Sequence, residues 1–119
     1  MEIAKIAQLA AKVLYLEDEP LDVSKSLFQT YHMSRLDYVD FASELQLASG
    51  KQFDPDQLWP INGMLNQPAL YQAGGWTEAG RAALARLFDG HAEIPAGAAP
   101  ATLQGMFTVE YVAHRLRAL

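Results

Sequence analysis

The sequence predicts an all-α domain, a compact bundle of four main helices plus short turns. Three observations carry that expectation. Apolar residues recur at three- and four-residue steps in several separate segments, and helix-start signals stand in front of most of them. No stretch of any length alternates apolar and polar residues as a half-buried strand would, and there is no internal repeat. At 119 residues, half of them hydrophobic, one domain can bury a core of its own, whereas two would each be marginal.

The first helix is expected over residues 2–16, where Ile3, Ile6, Leu9, Ala10, Val13 and Leu14 line one face and no breaker interrupts; Pro20 lies just beyond. Asp18 to Met33 reads as a long loop pinned by Val23, Leu27, Phe28 and Tyr31, and loops of that length are packed or functional. Residues 35–48 form the clearest helix. Ser34 can cap it and Asp37 can answer the cap's own amide, while Leu36, Val39, Ala42 and Leu45 run along it with Tyr38 and Phe41 on the flanks. Gly50 is a natural stop. Asp54-Pro55-Asp56-Gln57 is a second start signal, and Pro60 and Pro68 keep the helical pieces after it short. After the break at Gly74-Gly75, Thr77 opens a helix over 77–89 carrying Ala79, Ala83, Leu84, Leu87 and Phe88, ending at Gly90. His91 to Ala101 has the composition of a surface connection. Thr102 opens the last helix, over 103–117, with Leu103, Met106, Phe107, Val109, Val112, Ala113 and Leu116 on its apolar side.

The formal charge is −5, and residues 1–44 hold eight acids against four bases. Such a surface repels phosphate backbones and anionic lipid, so nucleic acid and membrane insertion are not expected, and a basic protein partner is the natural complement. The absence of cysteine removes disulfides and thiolate chemistry and is compatible with a reducing cytoplasm. Residues 1–16 carry Glu2, Lys5 and Lys12 among their apolar residues, which fits neither a signal peptide nor a membrane span, so the expected location is cytoplasmic. No glycine-rich phosphate loop, paired-histidine zinc motif or calcium loop is present. His32, His91 and His114 bring no ligand set, and His32 with Ser34 lacks the third orienting group that a nucleophile and base would need. An enzyme is not expected. Trp59 and Trp76 read as core anchors.

The stretch Ser26 to Phe41, with Leu36-Asp37-Tyr38-Val39 at its heart, resembles the acyl carrier protein family. That family has a first helix, a long loop, and a second helix opening at an Asp-Ser-Leu motif whose serine carries a 4′-phosphopantetheine arm. The match covers about residues 1–53; Trp59 is similar to a tryptophan of longer carriers, and Thr102 to Leu119 resembles the final helix. The resemblance therefore implies one domain over 1–119, a carrier-like bundle core of 1–60 and 102–119 with an additional helical insertion at about 61–101. It further implies presentation of an acyl or aminoacyl group to enzymes of fatty acid, polyketide or related biosynthesis.

The ungapped register sets Ser34 on the family's aspartate and Arg35 on its modified serine. Two alternatives are open. Either a one-residue offset lets Ser34 take the arm, or Arg35 has displaced the attachment residue and the fold serves as an unmodified protein-binding adaptor. Asp37, Asp40 and Glu44, at steps of three and four, share one helix face and repel one another by a few tenths of a kcal/mol. In the family this face meets basic surfaces of transferases, synthases and acyltransferases, so Arg35, Asp37, Asp40 and Glu44 are the expected partner-binding residues.

Overall fold

A computed structural model describes residues 2–16, 20–88 and 99–119. It is mostly helical, with seven helices among the described residues: α1 (Ile3–Val13), α2 (Arg35–Ser49), α3 (Pro55–Leu58), α4 (Ile61–Leu65), α5 (Glu78–Phe88), α6 (Pro100–Gln104) and α7 (Val109–Ala118). Described residues 20–34 form a loop without helix or strand.

Local chemistry sets most of the helix ends. The Ser34 hydroxyl accepts from the Asp37 amide at 3.1 Å, and the Asp37 carboxylate accepts from the Ser34 amide at 3.1 Å, closing a reciprocal cap on α2. Gly50 ends that helix at φ 71°, a left-handed conformation that glycine enters without penalty. At α3 the Gln57 side chain accepts from the Asp54 amide at 2.8 Å, and Pro55 takes the first helical position.

One hydrophobic core runs through the described chain. α1 packs on α2 and α7, and α3 bridges α2 and α7. Ile6, Leu9, Phe41, Leu45, Leu58, Val112 and Leu116 are buried there together with Ile61, Met64, Trp76, Leu84 and Phe88 from the segment expected as an insertion. At the centre Phe107, fully buried, stacks on Phe28 with ring centroids 4.4 Å apart and meets Trp59 edge-on at 5.2 Å.

Three expectations need correction. The helix expected over 103–117 is two helices, with a break at Gly105 to Thr108. The turn places Phe107 in the core, and its carbonyl accepts from the Leu27 amide at 2.8 Å; Thr108, not Thr102, caps the final helix by accepting from the Tyr111 amide at 3.0 Å. Second, Tyr71–Gln72 and Gly75–Trp76 (β1 and β2) pair antiparallel across Ala73 and Gly74, whose φ of 52° and 78° give the left-handed pair a two-residue hairpin turn requires. The glycine break was thus half of a hairpin. Third, the core-facing side of α2 is Tyr38, Phe41, Ala42 and Leu45, whereas Leu36 and Val39 point away from it. The expected end of α5 at Gly90 and the connection from His91 lie mostly outside the described residues.

The candidate docking face around helix α2

The start of α2 is built on the cap. Ser34 stands outside the helix in extended backbone, and Arg35 occupies the first helical position with its side chain exposed. Ser34 is itself exposed, but its oxygen is engaged by the Asp37 amide. Ser34→Ala should therefore cost about 1 kcal/mol of stability, while Ser34→Asp should cost only a few tenths, because aspartate caps equally well and suits the helix dipole. Equal destabilisation of the two variants in urea melts would remove the capping account.

The three acids of α2 have different occupations. Asp37 is committed to the cap. Glu44 meets the Lys12 ammonium of α1 at 3.4 Å, an ion pair at the surface. Asp40 is exposed and has no hydrogen-bond or ion-pair partner among the described residues. All three share one side of the helix, as their spacing required, yet only Asp40 is left wholly to solvent.

Beside the acids lies the feature that the sequence did not announce. Leu36 is 79% exposed, Val39 42% and Leu47 81%. At about 100° per residue these three, with Ser43 between them, fall in one narrow stripe on the side opposite Phe41 and Leu45. The helix is apolar on two opposite faces, and only one of them is covered. Burial of Phe41 decides which face goes inward, because a large ring gains more from the core than Val39 would.

Next to the stripe a cleft of about 480 Å³ opens between α2, α3 and the loop before α2. Phe28, Tyr38 and Arg35 line it together with Asp54 and Asp56 at the start of α3, and the buried Trp59 also borders it. Val39 lines both the cleft and the stripe, so the two are one continuous surface. The Tyr38 hydroxyl donates to the Pro55 carbonyl, which pins α3 against α2. Burial pushes the Tyr38 phenol well above the ordinary tyrosine range, so it stays a neutral donor. Tyr111 behaves likewise, again through burial, and donates to the Leu58 carbonyl at 2.6 Å. Nothing in the local sequence pattern reports this cleft, because it depends on where α3 docks; Asp54-Pro55 signals only that a helix begins.

A second cleft, of about 470 Å³, lies between the start of α1, the end of α5 and α7, with Glu110, His114 and Arg117 around Phe88 and Met106. His32 is exposed, and His91 lies outside the described residues. Among the described residues no three histidine or acidic side chains gather as a metal site would require, and no helix is long and apolar enough to cross a membrane. Comparison of the chain with protein-family models, with curated proteins and with solved structures finds no significant match.

Proposed function

We propose that the chain is a carrier-like helical bundle acting as an unmodified adaptor, which docks a partner protein through the outer face of α2. The observation that carries this reading is the exposure of Leu36 and Leu47 on a helix whose opposite face already supplies the core. Leu36 and Leu47, each about four-fifths exposed, forgo most of their burial energy, and with the partly exposed Val39 they make an apolar stripe of the kind that is covered in use. The mutual packing of α1, α2, α3 and α7 supports a carrier-like arrangement, with the segment from α4 to α5 contributing Ile61, Met64, Trp76, Leu84 and Phe88 to the same core rather than lying outside it. Arg35 in the first helical position, with Ser34 occupied as the cap, supports the adaptor over the carrier.

The competing reading keeps the chain a working carrier in fatty acid, polyketide or related biosynthesis. One observation favours it: Ser34 is exposed, so a transferase could reach its hydroxyl and attach 4′-phosphopantetheine. Intact mass after incubation with coenzyme A and a broad-specificity phosphopantetheinyl transferase separates the two. The adaptor reading expects an unchanged wild-type mass and a gain of about a third of a kilodalton in the double variant Ser34→Asp, Arg35→Ser, which rebuilds the family's motif. Modification of wild type, mapped to Ser34, would establish the carrier instead. Docking is read by a photocrosslinking side chain at Leu47, compared in cells with one at the exposed Gln8 of α1; the adaptor requires a discrete adduct at position 47 and none at position 8.

A further inference from the structure

The cleft between α2, α3 and the loop before α2 holds charges of both signs that do not meet. Arg35 lines it from the first position of α2, and Asp54 and Asp56 line it from the start of α3. Among the described residues the side chains of Arg35 and Asp56 have no ion-pair or hydrogen-bond partner; the one ion pair is that of Lys12 with Glu44. Val39 and the half-buried rings of Phe28 and Tyr38 give the same cleft an apolar lining. We propose that this cleft binds a small zwitterion, an α-amino acid with an apolar or aromatic side chain. Its carboxylate meets Arg35, its ammonium meets Asp56, and its side chain rests against Phe28, Tyr38 and Val39. The proposal goes beyond docking on the outer face of α2 and does not depend on it.

Size, charge and hydrogen-bonding capacity favour such a ligand. A volume of about 480 Å³ lies within the range of small-molecule sites and takes an amino acid with room for water. An amine without a carboxylate would be repelled by Arg35, and a carboxylate without an amine would face Asp54 and Asp56 uncompensated. A ligand bearing both signs satisfies both helices through charge-assisted hydrogen bonds. Asp56 is assigned the ammonium because Asp54 is the cap residue of α3. The Asp56 charge is also felt inside the cleft. Burial is the main reason the Tyr38 phenol lies above the ordinary tyrosine range, and the Asp56 carboxylate raises it further. An ammonium has three N–H groups and a carboxylate about four lone-pair sites, more than one partner each can fill. The exposed amides of Asn62 and Gln104 line the same cleft and supply further donors and acceptors. The free carboxylate sets this ligand apart from a carried aminoacyl group, whose carbonyl carbon is bonded to the sulfur of an arm.

The probes are L-phenylalanine, phenylpropionate, which lacks the amine, and phenethylamine, which lacks the carboxylate. In an NMR titration of the whole isotope-labelled chain, phenylalanine should saturate with a Kd of about a millimolar or tighter, the range for a ligand of its size. The backbone amide signals of Val39, Asp56 and Asn62 should shift, and those of α5 should not. Each single-charge analogue should bind about tenfold more weakly or worse. Arg35→Gln should weaken phenylalanine about tenfold and leave phenethylamine no weaker than before; Asp56→Asn should weaken phenylalanine likewise and leave phenylpropionate no weaker. Both side chains are exposed, so melting temperatures should scarcely move. The proposal is overturned if phenylalanine gives no saturable shift, if the analogues bind as well as it does, or if the shifts fall on other parts of the molecule. Variants that weaken all three probes equally would overturn the charge pairing on which it rests. None of these results touches the docking reading, which the crosslink at Leu47 judges independently.

Discussion

Phe107→Ala is expected to destabilise the domain by about 3–5 kcal/mol, a large part of the stability of a domain of this size. The ring is fully buried and touches four others: Phe28 at 4.4 Å, Trp59 at 5.2 Å, Tyr38 at 5.6 Å and Tyr111 at 5.8 Å between centroids. Those neighbours come from the loop before α2, from α2 itself, from the end of α3 and from α7, so no single element can relax into the hole. A cavity that cannot collapse incurs both the lost transfer energy and the lost packing. Phe107→Leu, which keeps most of the volume, should cost no more than about 1.5 kcal/mol. Urea melts measure both, with the midpoint falling and the slope unchanged. A loss below about 1 kcal/mol for alanine would mean that the ring cluster is not the centre of the core.

Gly80→Ala should be the most damaging glycine substitution among those with a described environment. An added Cβ would lie 2.0 Å from the Leu70 carbonyl oxygen and 3.0 Å from the Trp76 ring. That carbonyl is held in place by the Thr77 amide, which donates to it at 2.9 Å, so it is backbone that must move. Thr77 ties the same junction twice more, donating its hydroxyl to the Ala69 carbonyl at 2.6 Å and accepting from the Gly80 amide at 3.0 Å. The expected cost is about 1–3 kcal/mol even after the better helix propensity of alanine is counted. Gly63→Ala in α4 is the internal control. It meets nothing within 4 Å and should be neutral or stabilising by up to about 1 kcal/mol. Opposite signs for the same substitution at the two sites test the close approach directly; equal effects would refute it.

What could be read from the sequence was local, and what could not was tertiary. The cap on α2 was legible because Ser34 and Asp37 are three residues apart and serve each other. The break in the last helix was hidden because Leu103, Met106 and Val109 keep a helical spacing straight through it. Gly105 alone is a weak breaker. The bend is held by distant partners instead, with the Ser26 hydroxyl donating to the Gln104 carbonyl at 2.7 Å and the Leu27 amide to Phe107. The inward face of α2 was ambiguous for a different reason: two apolar arcs lie on opposite sides, and periodicity cannot choose between them. The acids were legible as a shared face, but not that Lys12 of α1 would take up Glu44. The cleft, joining Tyr38 to Asp54 and Asp56, exists only once α3 has docked.

The clasp between the loop before α2 and the turn before α7 also governs the order in which the molecule assembles. Ser26 and Gln104 are 78 positions apart, and the Glu110 amide reaches the Val23 carbonyl over a comparable distance. Closing so long a span is entropically unfavourable, and its reward arrives only when Phe107 enters the rings of Phe28, Tyr38 and Trp59. During synthesis, α1 to α3 leave the ribosome before the residue that completes their core exists. Until then the nascent chain presents an unfinished aromatic cluster, and its commitment to the native state falls to the last stretch from Gln104 onward.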